Sequence, residues 1–323
     1  MFDTYLVAGS INTDYNVRLP VLPVPGETVT GTSFSRAFGG KGANQAVALG
    51  RLLAGSGKPV HFAGKRGNDD DGRRAKENLE SNGVDTRLVD TAESHTGMAL
   101  IEIDDEANNR IVVVPGANGC CTPAWAGEIA ETMRASLDDP ARLCCLLQLE
   151  IPLPAVTAII EALAETGCFI MLDPAPAIPL DSGLWPLIEA VTPNQSETRS
   201  FTGIFPDSDR TARSAAEKLR TMGTRAVIIK AGSTGVWYFD EQDEFFCPTF
   251  RVNARDTTAA GDVFNAAFAA GLGMDLPVAE TLRFANAAAA ISVTGDGAQG
   301  AMPTFDTVEA LLREDPRTVA RRL

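Results

Sequence analysis

Asp262 closes the run Asp256-Thr-Thr-Ala-Ala-Gly-Asp and opens an apolar, alanine-rich segment that reads as a helix. Ala259, Ala260 and Gly261 let a ligand come close to the backbone, and the free N–H groups of a helix's first turn make an anion site. A carboxylate there repels a phosphate, so Asp262 suits another task. It is placed to draw a proton from a hydroxyl that attacks a phosphate held beside it. An isolated Gly-Asp is more often a plain helix cap, and the surrounding sequence has to decide.

Other polar groups recur at similar places. Asn12 and Asp14 follow an apolar run over 5–9 and, two apart in extended chain, share one face. Glu150, Asp173 and Asn194 each follow a further apolar run, and Gly232-Ser-Thr-Gly235 follows another. Each has a plainer reading: an Asx turn for Asn12 and Asp14, a strand-end carboxylate for Glu150, a turn residue before Pro174 for Asp173. Asn194-Gln-Ser-Glu197 has the spacing of a capping box. Gly39-Gly40-Lys41-Gly42 fits neither a P-loop nor a dinucleotide fingerprint, and Lys41 suits a ligand and a neighbouring carboxylate equally.

The elements that must position these groups alternate. Strands are expected over 60–63, 143–149, 168–172, 188–191 and 226–229, and helices over 43–53, 72–82, 123–136, 154–166, 212–222 and 277–294. That rhythm predicts an α/β fold with a mostly parallel central sheet flanked by helices. Ligands of such sheets bind beyond the carboxyl ends of the strands, where the scattered polar residues fall. Segments 16–35 and 96–115 break the rhythm. The second has two β runs around a polar turn at 104–109. The C-terminal 313–323 is charged and reads as a solvated end.

The totals exclude several classes. The formal charge of −14, from 28 basic and 42 acidic residues, argues against nucleic-acid or anionic-membrane partners. No apolar run reaches spanning length and the N-terminus lacks a signal pattern, so a cytoplasmic protein is expected. The six cysteines show no metal-site spacing and read as free thiols.

Two long stretches carry a family resemblance. Residues 256–262 resemble the second signature of the PfkB carbohydrate kinases, usually Asp-Thr-x-Gly-Ala-Gly-Asp, with Ala259 in place of its glycine. Phe38-Gly-Gly-Lys-Gly-Ala-Asn-Gln-Ala46 resembles the first. The resemblance runs from Gly9 to about Gly297 and implies a ribokinase-like fold: a core of 1–15, 36–95 and 116–323, with 16–35 and 96–115 forming a small β-sheet lid over the sugar. It implies ATP-dependent phosphorylation of D-ribose at its 5-hydroxyl, giving D-ribose 5-phosphate and ADP. Asp262 would be the base, and the N–H groups of Ala259, Ala260, Gly261 and Asp262 the anion hole.

By the same resemblance, Asn12, Asp14, Gly40, Lys41, Asn44 and Glu150 would hold the sugar, together with Asp262. Asn194, Lys230, Gly232, Ser233, Gly235, Gly261 and Asn286 would meet ATP, and Glu197 would act on Mg²⁺ through water. Asp256 with the carbonyls of Thr258, Ser292, Gly295 and Gly297 would hold an activating K⁺, although Ala301 replaces a serine that completes the shell in relatives. A homodimer through the lids is implied as well. Alternatives are a kinase of the same family acting on another sugar, a sugar acid or a nucleoside, and a non-catalytic sugar- or nucleotide-binding regulator. A nicotinamide dehydrogenase is disfavoured by the missing glycine fingerprint.

Overall fold

The computed structural model describes residues 2–106 and 108–323, so Met1 and Ala107, the latter in the turn expected at 104–109, lie outside the described residues. The strands are β1 (Thr4–Ala8), β2 (Asn12–Arg18), β3 (Ser33–Gly39), β4 (Val60–Gly67), β5 (Val84–Ala92), β6 (Gly97–Ile103), β7 (Asn109–Val114), β8 (Leu143–Leu147), β9 (Phe169–Leu172), β10 (Ala190–Val191), β11 (Ala226–Lys230), β12 (Gly235–Phe239), β13 (Glu244–Pro248) and β14 (Arg321–Arg322). The helices are α1 (Lys41–Leu52), α2 (Asp70–Ser81), α3 (Pro123–Ser136), α4 (Leu153–Ala164), α5 (Gln195–Thr202), α6 (Asp209–Met222), α7 (Ala260–Gly273), α8 (Val278–Ser292) and α9 (Phe305–Glu314).

Ten strands form one sheet in the order β14-β13-β12-β11-β10-β9-β8-β1-β4-β5. It is parallel from β5 to β11 and antiparallel from there to the edge. The central strands are apolar without interruption because both of their faces are covered. On β1, Tyr5 and Val7 join the core under α1, α7 and α8, while Leu6 and Ala8 join the core under α3 and α4. Alanines and glycines dominate α7 and α8, whose facing sides are buried. Small side chains let these two helices pack closely, and that holds the first turn of α7 rigid at the sheet's end.

A second sheet of four strands, in the order β3-β2-β6-β7, stands apart from the first. The runs expected around the polar turn are β6 and β7, while β2 and β3 reach beyond 16–35 and bring Asn12 and Asp14 into this small sheet. It is moored to α2 at two points. Thr96 donates from its backbone N–H to Asp69 at 2.7 Å, and Asp71 receives the Tyr15 hydroxyl and, at 3.5 Å, the Arg36 guanidinium.

Three expectations need correction. The C-terminus is not merely solvated: β14 pairs with β13, and Arg321 lies over the Phe246 ring while bonding to Asp209 at 2.6 Å. No element is expected over 235–248 or 305–314, yet the structure forms the β12–β13 hairpin and the amphipathic α9 there. The strand expected over 188–191 shrinks to two residues, because Ile188 ends a short 3-10 turn.

Candidate active site

The loops after the parallel strands meet at one edge. β1 leads to Ser10 and, through the turn, to Asn12; β8 leads to Gln148 and Glu150; β9 to Asp173; β10 to Asn194; and β11 ends on Lys230. The N-termini of α1 and α7 close the space between them.

The α1 side is built by glycines. Gly40 has φ 87°, and a β-carbon there would meet the Asn12 nitrogen and Ser10 oxygen at 2.8 Å. Only glycine permits this turn, which delivers Lys41 and Asn44 to the site. Glu150 Oε2 accepts from the first N–H of α1, on Lys41, at 2.9 Å and from the Ser10 hydroxyl at 2.6 Å. Glu150 is therefore a cap for α1 as well as a wall of the site. Asn12 is held by Asn118, whose amide donates to Asn12 Oδ1 at 2.8 Å and to the Ile11 carbonyl at 3.0 Å.

The α7 side carries Asp262, which is buried. Asn44 donates to its Oδ2 at 2.9 Å and Gln45 to its Oδ1 at 3.3 Å. Burial pushes the Asp262 carboxyl up, and Asp173 and Glu150 push the same way, against Lys41 and the Asn44 hydrogen bond. Lys41 is held protonated above its ordinary range, chiefly by Asp262, with Asp173 and Glu150 adding to it against burial. Asp14 is pushed up to about 7 by burial, with Glu150 and Asp262 contributing. A pair of poised carboxylates among amides suits a polyhydroxylated ligand, whose hydroxyls need acceptors and donors at fixed points.

Ala259 caps α7 in the left-handed conformation, with φ 61°, and its carbonyl accepts from Val263 at 2.9 Å. Of the four N–H groups expected to form an anion hole, that of Ala260 bonds to the Thr257 carbonyl at 3.3 Å. Those of Ala259, Gly261 and Asp262 bond to no described residue. Lys230 adds positive charge: its Nζ would lie 3.4 Å from a β-carbon on Gly261. The same Nζ bonds to Asp173 at 2.9 Å.

From this turn a cavity of about 480 Å³ runs between the β11–β12 turn and α8, lined by Lys230, Gly232, Ser233, Gly235, Gly261 and Asn286 together with the apolar Val236, Phe250, Phe264 and Val293. Its size and mixed walls suit a nucleotide's base and ribose. Asn286 is partly committed, donating to the Cys247 and Pro248 carbonyls at 3.0 and 3.2 Å. Asn194 and Glu197 form the capping box of α5, Glu197 Oε2 accepting from the Asn194 N–H at 2.7 Å and Oε1 from its amide at 2.8 Å. A backbone bridge joins Asn194 to Lys230. Burial pushes the Glu197 carboxyl up, against Lys230.

Asp256 ties together the loops on either side of α7 and α8. Its Oδ1 accepts from the Thr258 N–H and hydroxyl at 2.9 and 2.6 Å, and its Oδ2 from the Gly297 N–H at 3.0 Å. Partial burial acts against these bonds, which still hold its carboxyl below the usual range. The carbonyls of Thr258, Ser292, Gly295 and Gly297 accept no hydrogen bond from the described residues. A carboxylate among unengaged carbonyls is a donor set for a hard cation. Ala301 packs against this loop, its β-carbon 2.6 Å from where one on Gly295 would stand.

The pattern of the pfkB family carbohydrate kinases matches residues 4–305. The chain belongs to this family. It is 40% identical over 307 residues to a ribokinase of Bacillus subtilis, covering 95% of this chain and 98% of that one. It is 38% identical over 313 residues to a ribokinase of Haemophilus influenzae, covering 96% and 99%. Among solved structures, Arabidopsis thaliana ribokinase complexed with ribose and ATP superposes with a TM-score of 0.87 at 30% identity, covering 97% of this chain and 99% of that one.

In this PfkB carbohydrate kinase, sequence reasoning missed part of the site. Asp173 is no turn residue: it is buried, ion-paired to Lys230 and bonded to Gln45. Its position at the end of β9 was the available signal, masked by the following proline. Ser10, Gln45, Asn118, Gln148 and Gln299 also enter the site's hydrogen-bond network. Gln45 and Gln148 adjoin recognised site residues, but nothing in the sequence aims their amides.

Proposed function

We propose that this chain transfers the γ-phosphoryl group of ATP to the 5-hydroxyl of D-ribose, releasing D-ribose 5-phosphate and ADP. The observation that carries this reading is the position of Asp262. It stands where the sugar-facing groups of α1 and β2 meet the nucleotide-sized cavity, beside the free N–H groups of α7. Identity of 38–40% over nearly full length with two ribokinases selects ribose among sugars.

Asn12, Asp14, Gly40, Lys41, Asn44 and Glu150 bind the sugar hydroxyls and aim the primary one at the phosphate. Asp262 takes that hydroxyl's proton as its oxygen forms the new O–P bond. The bond from the γ-phosphorus to the bridging oxygen breaks, and its electron pair leaves with ADP. The N–H groups of Ala259, Gly261 and Asp262, with Lys230 beside them, hold the charge on the phosphoryl oxygens. Mg²⁺ bound with the nucleotide would neutralise charge across the phosphates, and the half-buried Glu197 carboxylate would act on its water shell. Asp256 and the carbonyls of Thr258, Ser292, Gly295 and Gly297 would hold K⁺, whose charge would fix the loop that leads into the anion site, and water could supply the oxygen lost at Ala301.

The chain acts as a homodimer through its small sheet. Phe34, Leu100, Ile111, Val112 and Val113 leave apolar surface exposed there, an open invitation to strand or face pairing. No helix among the described residues is long and apolar enough to cross a membrane. A cytoplasmic setting accords with six cysteines that are all free.

Incubation with MgATP and D-ribose, followed by ³¹P NMR of the sugar product, tests the assignment. A ribose 5-phosphate resonance is expected. Faster turnover of 2-deoxyribose, fructose or adenosine in parallel reactions overturns ribose as the substrate.

A further inference from the structure

Gln45 lies one residue beyond Asn44 on α1 and takes no part in holding sugar or nucleotide in the scheme above. It is 1% exposed. Its amide nitrogen stands 3.3 Å from Asp173 Oδ2 and 3.3 Å from Asp262 Oδ1, and its carbonyl oxygen accepts from Gln148 Nε2 at 2.7 Å. One amide has two N–H donors and one carbonyl, and all three are used. The reverse orientation would aim its oxygen at two carboxylates, so the network admits only this one. Gln148 is itself packed in place, since a β-carbon on Gly9 would fall 2.1 Å from Gln148 Oε1. Among the described residues, Gln45 alone bonds to both carboxylates.

We infer that Gln45 is a positioning residue that separates Asp262 from Asp173 and aims the Asp262 carboxylate at the acceptor hydroxyl. The inference rests on Asp262 being the base. Asp262 is faced by Lys41 from α1, Glu150 beyond β8, Asp173 beyond β9 and Asp14 from β2. Lys230, from the end of β11, lies against Gly261 and is bonded to Asp173. With Glu197, which also faces both lysines, two cations thus serve five carboxylates, and Lys230 is already engaged by Asp173. The neutral amide of Gln45 gives each of two buried anions one N–H, stabilising their ionised forms together. Without it, Asp173 repels a charge on Asp262 with nothing between them.

The test is the pH dependence of the single-turnover phosphoryl-transfer rate at saturating ribose and MgATP. Saturation moves the ionisation of Asp14 into the binding terms. Gln45→Met removes both donors at similar volume. Its acid limb is expected to move about one to two pH units toward alkaline, with roughly ten-fold or greater loss at pH 7 that is recovered near pH 9. Gln45→Met with Asp173→Asn returns the limb toward wild type by removing the repulsion. Asp173→Asn alone, which preserves shape, moves it toward acid, so the inference stays testable if Gln45→Met does not fold. A loss equal at all pH values with no rescue by Asp173→Asn, or an unshifted limb in Asp173→Asn alone, overturns the inference. Asp262→Asn separates the two failures: if it retains turnover, the base assignment falls and takes this inference with it. If it is inactive while the limbs stay fixed, only the role of Gln45 falls.

Discussion

The carboxylate of Asp14 lies directly over Gly39, so close that a β-carbon on Gly39 would stand 2.4 Å from both carboxylate oxygens. The two residues are diagonal neighbours in the antiparallel β2–β3 pair, two residues out of direct register, since Gly39 pairs with Asn12 and Asp14 with Ala37. Gly39→Ala must therefore push the Asp14 side chain out of the sugar site. The ribose KM is expected to rise about ten-fold or more, the equivalent of one lost charge-assisted hydrogen bond. The ATP KM should hold steady. Steady-state kinetics with each substrate varied separately checks this, and an unchanged ribose KM would mean that Asp14 does not touch the sugar.

Asp14 also predicts a pH effect. Its carboxyl rises from an ordinary value of 3.8 to about 7 in the folded chain. A group that binds its proton more tightly folded than unfolded makes stability fall as pH rises through that window. Asp14→Asn should match wild type below it. Above pH 7 it should be more stable by on the order of 2 kcal/mol, a figure reduced for the solvent that reaches this half-buried side chain. Urea denaturation of the ligand-free protein at about pH 3.5, below the window, and at pH 8, above it, measures the difference.

Ala259 holds a left-handed conformation, with φ 61°, where the family pattern has glycine. An L-residue there carries roughly 1 kcal/mol of strain, partly offset by its lower unfolded-state entropy. Ala259→Gly should stabilise the chain by about 0.5 kcal/mol, and the single-turnover rate should stay within about two-fold because the N–H groups of the turn are unmoved. Chemical denaturation and rapid-quench measurements check the two halves of this expectation.

Asp256 and four unengaged carbonyls predict a monovalent-cation effect. Replacing K⁺ by tetramethylammonium, too large for such a shell, should lower the rate several-fold. Asp256→Ala should lower it in K⁺ and abolish the difference between the two salts. Equal rates of the wild type in both salts would remove the cation from the account.

Much of this architecture is legible in the sequence, for physical reasons. The alternation of apolar runs with helical patterns places Glu150, Asn194 and Lys230 at strand ends, because a two-sided parallel sheet leaves little choice. Gly39-Gly40 and Ala259-Ala260-Gly261 mark the two helix starts, since few residues tolerate such turns. Asp173 was obscured, as an aspartate before a proline has the same local pattern whether it faces solvent or a buried lysine. Gln45 was hidden for a different reason: its two carboxylates lie 128 and 217 residues away along the chain. At the antiparallel edge, β13 and β14 are open to solvent and mix polar with apolar residues, which blurs their period, whereas β12 is a short apolar run buried at every position.

The most direct test is Asp262→Asn, assayed for turnover with D-ribose and MgATP in K⁺ and for ribose affinity by calorimetry. The amide keeps the shape of the site but cannot accept the proton, so kcat should fall by about 10²–10⁴-fold while the ribose Kd stays within a few-fold. A variant that keeps most of its turnover would contradict the account, leaving Asp262 as a structural cap and the proton's destination elsewhere.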